Sequence, residues 1–114
     1  MILIATGIYS AFPHPTRDQA TLRLVAAEAH QLLATTPLNP NEESVALPAS
    51  KWPKTIANLK PYSVIVRAGM VDITTRPSFD GGWGYGVTND KRNLTMLVEC
   101  WSELGRDVYW HGPC

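Results

Sequence analysis

The chain has 114 residues with ten basic and ten acidic side chains, a formal net charge of zero and a pI near 6.8. That length suits one domain, residues 1–114, with a small core. The neutral charge argues against non-specific binding to nucleic acid or anionic membranes, since both call for a positive excess. Two cysteines, Cys100 and Cys114, make no disulfide framework and match no zinc spacing. Two free thiols suit a cytoplasmic protein, with a single bridge left open. The apolar start, residues 1–7, is short and lacks a basic lead, so neither a signal peptide nor a membrane span is expected.

Residues 2–6 read as a short buried strand or an irregular arm, broken by Gly7 and Pro13-His14-Pro15. Thr16 is the expected cap of a long helix reaching Thr35, with Asp18 and Gln19 in its first turn. Leu22, Val25, Ala26, Ala29, Leu32 and Leu33 recur at helical spacing and make its apolar stripe. Residues 37–43 are a Pro- and Asn-rich loop, and Pro48 continues the irregular path. Ser50 caps a short helix with Pro53 in its first turn. Trp52, Ile56 and Leu59 form its stripe, and Pro61 ends it.

Val64 to Arg67 and Met70 to Thr75 are rich in β-branched residues and flank Ala68-Gly69, the pattern of a tight hairpin. Asp72 falls on the face opposite Val71 and Ile73. A third strand of the meander follows over residues 82–87, opened by the turn Asp80-Gly81. Its alternation puts Trp83, Tyr85 and Val87 on one face and Gly82, Gly84 and Gly86 on the other. A face of bare backbone invites close approach. A helix of the same chain is the favoured occupant, ahead of a second subunit or a flat ligand. Residues 88–93 are a polar turn. Residues 94–104 fit either a helical stripe (Leu97, Cys100, Trp101, Leu104) or an extended segment. Residues 108–111 are a last strand, ended by Gly112-Pro113.

The expected architecture is α+β. It has a small antiparallel sheet of three to five strands in the C-terminal two thirds. A long N-terminal helix and one or two shorter helices pack on one face.

No catalytic constellation stands out. His14, His30 and His111 lack paired-ligand spacing, so neither a metal nor another cofactor is expected. Cys100, on an apolar stripe, reads as an inert small hydrophobe, and no serine sits in a nucleophile elbow. The aromatics are the distinctive feature, with four Trp in so short a chain. Trp83 and Tyr85 are candidates for a ligand-binding wall, with Asp72, Asp80 or His111 as its polar group. In Tyr109-Trp110 only one ring can face inward, which makes the pair a candidate interface.

Residues 50–59, the hairpin 64–75, Phe79-Asp80-Gly81-Gly82-Trp83-Gly84-Tyr85 and Val108-Tyr109-Trp110-His111 together resemble small uncharacterised bacterial proteins of the mobile integron gene-cassette type. That resemblance implies a bacterial, cytoplasmic protein and carries no activity or catalytic motif.

The leading expectation is therefore a non-enzymatic interaction protein. It associates with itself, as a homodimer or other homo-oligomer, through its aromatic and glycine-rich sheet. The alternative is a small-molecule-binding domain or small enzyme with a pocket around Trp83 and Tyr85. Nucleic-acid binding through Arg67, Arg76, Lys91 and Arg92 ranks third, with the neutral charge against it.

Overall fold

The computed structural model describes residues 13–114. The expected strand or arm at 2–6 lies outside the described residues. Six antiparallel strands form one sheet in the order β1-β2-β3-β4-β6-β5. They are β1 (Ser44–Ala46), β2 (Ser63–Arg67), β3 (Met70–Arg76), β4 (Trp83–Val87), β5 (Trp101–Gly105) and β6 (Val108–His111). One long helix, α1 (Gln19–Thr35), crosses one face, and a five-residue helix, α2 (Lys54–Asn58), packs against α1.

The expectation of three to five strands beneath several helices is corrected here. The sheet has six strands and the cover is essentially one helix. The undercount has two sources. β1 is only three residues long and lies beside a loop rich in Pro and Asn, so it carries no alternation to read. Residues 94–104 contain no α-helix: a 3-10 turn, Val98–Cys100, leads directly into β5. The helical spacing of Leu97, Cys100, Trp101 and Leu104 is coincidental, because Leu97 is exposed while Trp101 is buried.

α1 starts two residues later than expected. Asp18, not Thr16, is the cap: its carboxylate accepts from the Thr21 backbone N–H at 2.9 Å and from the Thr21 hydroxyl at 2.6 Å. These bonds hold the Asp18 carboxyl below its ordinary value. Pro53, rather than Ser50, precedes α2. A proline there offers no side-chain acceptor, and Glu28 of α1 supplies one instead. Its carboxylate accepts the Thr55 and Ile56 backbone N–H groups at 3.1 and 3.0 Å. One side chain thus ties the two helices together.

The hairpin is as expected: Arg67 pairs with Met70 across Ala68-Gly69, and Gly69 adopts φ +76°. The register stacks Val64, Ile73 and Tyr85 in one cross-strand row and Val66, Val71, Val87 and Val108 in the next. Against these rows α1 lays Leu22, Val25, Ala29 and Leu32, and Ile56 of α2 closes the core.

The helix therefore covers the Tyr85 and Val87 face, not the bare one as expected. The glycine face is met by side chains. A Cβ on Gly86 would lie 2.8 Å from Trp101 Cζ3 and 2.9 Å from Leu94 Cδ2. Glycine there lets the Trp101 indole approach the sheet closely. The other occupants considered, a second subunit or a flat ligand, have no room over Gly86.

Candidate functional site

Residues 88–100 run from one end of the sheet to the other and act as a strap over the glycine face. Thr88 anchors its start, with the hydroxyl donating to the Gly69 carbonyl at 2.7 Å. Asp90 accepts from Arg92, which holds the Asp90 carboxyl down at about 2. At the far end the Trp101 indole N–H donates to the Thr95 carbonyl at 2.6 Å, so the buried ring also fixes the strap.

The strap and the C-terminus are joined covalently. Cys100 and Cys114 form a disulfide with Cα atoms 6.0 Å apart, and no cysteine is free. The expectation of two free thiols is corrected. Residues 101–105 and 108–111 pair as an antiparallel hairpin, which brings the residues at its open end together. The Cys114 N–H also donates to the Asp80 carbonyl at 3.0 Å, so the tail crosses the turn that opens β4.

The end of the sheet thus gathers three of the residues singled out in the sequence. Trp83 is half-buried at the start of β4, with the Arg76 guanidinium 5.6 Å from its ring centroid. His111 is buried, edge-on to Trp101 with centroids 4.6 Å apart. Its Nδ1 lies 3.0 Å from the Gly112 carbonyl oxygen, which can only accept, so Nδ1–H is the donor. Asp80 has one carboxylate oxygen, Oδ1, buried with no hydrogen-bond partner among the described residues.

The other candidates lie apart from this cluster. Asp72 is half-buried on the glycine face, paired with Gly86 in the register and 3.4 Å from Arg67 Nε. Tyr85 is buried under α1. Its hydroxyl accepts the Thr16 N–H at 2.8 Å, and its ring meets Trp110 edge-on at 4.9 Å. Trp110 is therefore the inward ring of its pair. Tyr109 faces the opposite side and is buried there by the same chain. Trp83 lies at the end of the sheet beside Arg76, whereas Tyr85 lies in the core under α1.

Burial raises the Tyr85 hydroxyl above its ordinary 10.0, with the Thr16 N–H partly offsetting it. Burial also raises Tyr109, aided by the Glu103, Asp107 and Asp90 carboxylates. A folded state that raises an acid's pKa favours its protonated form. That stability is present below the unfolded value and is lost as pH rises through the folded one. We expect the urea midpoint to fall once pH exceeds the ordinary tyrosine value of 10.0. Tyr85 and Tyr109 should gain phenolate absorbance only above that point, and the late absorbance should disappear in Tyr85→Phe, Tyr109→Phe. A double variant with an unchanged absorbance titration would contradict the assignment.

Sequence reasoning missed a different group of residues at the same end. Phe79 is fully exposed, and Met96, Leu97 and Val98 are 40, 66 and 56 % exposed. The two loops touch, since the Met96 sulfur lies 3.4 Å from where a Gly81 Cβ would be. The available signal was a run of three apolar residues in a segment that alternates as neither strand nor helix. A phenylalanine inside the turn Ser78-Phe79-Asp80-Gly81 was a second.

Among the described residues no group of three or more His, Cys, Asp or Glu side chains is placed to hold a metal ion. Among the described residues no helix is long and apolar enough to cross a membrane. Fold and site define a six-stranded antiparallel sheet with one long and one short helix on one face and a disulfide-tied strap on the other. Compared with protein-family models, curated proteins and solved structures, the chain matches none.

Proposed function

We propose that this is a non-enzymatic interaction protein that associates with a second copy of itself through the two apolar loops at the disulfide-tied end of the sheet. The observation that carries the reading is the exposure of Phe79, Met96, Leu97 and Val98 on two loops that approach where the Met96 sulfur lies 3.4 Å from the position of a Gly81 Cβ. Contiguous apolar surface on a soluble domain marks a contact site, because each such side chain gains about 1.5–3 kcal/mol when removed from water. The disulfide and the Trp101–Thr95 bond hold the loops in place beforehand, which lowers the ordering cost of association. A net charge of zero leaves little repulsion between copies.

The contact surface differs from the one expected from sequence. The rings of Tyr85, Tyr109 and Trp110 are used within the chain, so the loops rather than the aromatic sheet face the partner. The Cys100–Cys114 bridge favours an oxidising compartment over the cytoplasm expected from free thiols.

Four side chains make less than the ~800 Å² per partner of a standard interface, so the dimer should be weak and concentration-dependent. Sedimentation equilibrium from about 1 μM to about 1 mM, the range for such an interface, should show mass rising towards two chains. The double substitution Phe79→Ser, Leu97→Ser should hold the protein at one chain throughout, with its melting temperature unchanged because both residues are exposed. A wild-type protein that stays at one chain across the range would end this proposal.

A further inference from the structure

β1 is an open edge with a groove beside it. In an antiparallel pair, alternate residues turn their main-chain N–H and C=O groups towards the partner strand and away from it. Leu47 donates its N–H to the Val64 carbonyl at 2.9 Å, and Val45 pairs with Val66 in the same register. Val45 and Leu47 therefore bond β2, and Ser44 and Ala46 point their N–H and C=O groups outward. No protein group among the described residues bonds them. The opposite edge is guarded. β5 carries a bulge between Glu103 and Gly105, and Gln19 of α1 donates to the Leu104 carbonyl at 3.1 Å.

Alongside β1 runs a groove of about 440 Å³ between that strand and the last turns of α1. Leu32, Thr35, Val45, Leu47 and Pro48 give it an apolar floor with a hydroxyl rim, and Lys51 is its one ionised lining residue. Ala46 also borders it, although strand alternation turns its side chain to the other face. Its outward main-chain N–H and C=O lie along the open edge that bounds the groove. Main-chain donors and acceptors on one wall, an apolar trough and a cation at one end form a consistent set. They are the three parts by which an extended peptide is bound as an added strand.

We infer that this groove captures an extended peptide that adds to β1. The peptide sets one apolar side chain into the trough and a carboxylate against Lys51. The site is separate from the Phe79 and Leu97 loops and does not rest on the self-association proposed above. Lys51 selects a carboxylate, whether from an acidic side chain or from a peptide C-terminus.

The test uses random heptapeptides displayed on phage, panned against the full chain. The enriched sequences are then made as soluble peptides with free and with amidated C-termini. The expected result is enrichment of peptides pairing an apolar residue with a carboxylate. Loss of binding on amidation would assign the carboxylate to the C-terminus, and retention would assign it to a side chain. Ala46→Pro removes an outward donor without touching the β1–β2 ladder, as proline is tolerated on an edge strand. It should weaken binding about tenfold, as should Lys51→Glu. Should Ala46→Pro disturb the fold by circular dichroism, wild-type amide exchange replaces it: peptide must slow exchange at Ser44 and Ala46. Three results would overturn the inference. One is no enrichment. Another is binding indifferent to Lys51→Glu and giving no protection at Ser44 and Ala46. The third is a wild-type dimer that Ala46→Pro converts to monomer, which would make a second copy of β1 the occupant.

Discussion

Gly84→Ala should cost the fold far more than Gly86→Ala, although the two glycines lie two residues apart on the same face of the same strand. A Cβ on Gly84 would sit 2.5 Å from the Ile73 carbonyl oxygen and 3.0 Å from the Thr74 Cα. Both are main-chain atoms of β3, and neither can move without opening the β3–β4 ladder. Gly84 pairs directly with Thr74, beside the register irregularity between Thr74 and Arg76. The neighbouring residues are already at full packing: Ile73 is fully buried and Tyr85 is 3 % exposed. A substitution that must break a central ladder belongs with the exceptional losses, above about 4 kcal/mol. For a domain whose whole stability is of the order of 5–15 kcal/mol, the variant should be largely unfolded at 37 °C. At Gly86 the Cβ meets side-chain atoms, the edge of the Trp101 indole and a Leu94 methyl. Those can shift, at the ~1–3 kcal/mol typical of overpacking. The pair is measured by urea unfolding, followed by the combined fluorescence of the four tryptophans. Equal losses would mean that the strap, not the ladder, limits both sites.

Removing the Cys100–Cys114 bridge is the second large effect. The bridged residues are 14 apart, and cross-linking a loop of that size restricts the unfolded chain by about 3 kcal/mol. For a domain of this size each kcal/mol moves the melting temperature by about 4–8 °C, so Cys100→Ser, Cys114→Ser should melt roughly 12–24 °C lower. The loss should also be local in character. The bridge holds the tail across Asp80 and the strap across Gly86, so amide exchange should speed up first at residues 94–100 and 112–114. The proposed self-association should weaken with it, because Met96, Leu97 and Val98 lose their fixed arrangement. A melting temperature unchanged by reductant and by the double substitution would remove the bridge from the account of the loops.

The residues that announced themselves in the sequence were those with a regular period. The stripe Leu22, Val25, Ala29 and Leu32 gave α1, and the β-branched runs around Ala68-Gly69 gave the β2–β3 hairpin with its register. β1 was not legible because three residues carry no period, and because its strand character comes from Val66 and Val64 on β2 rather than from its own sequence. Residues 94–104 were ambiguous for a related reason. Their apolar residues serve two different ends, Leu94 and Trp101 covering Gly86 while Leu97 and Val98 face outward. Alternation did separate the glycines of β4 from Tyr85 and Val87, but it could not say which face a helix would take. That choice depended on where α1 lay in the sheet order. Of the candidate residues, Asp80, Trp83 and His111 were brought to one end of the sheet by the β4–β6 pairing, while Tyr85 was drawn under α1. Neither placement follows from local sequence. The exposed loops were the least legible, since exposure is a property of what fails to cover a residue.

The difference between the two sheet edges limits how far this protein can polymerise. A sheet with both margins open can accept strands without end, each addition presenting a fresh template, as in a fibril. Here the β5 margin carries a bulge, Glu103 and the Gln19 amide, and among the described residues the β1 margin is the open one. A strand added at β1 consumes that margin. Unless the newcomer is itself a whole sheet with a second open side, nothing remains to extend, and growth terminates after one step.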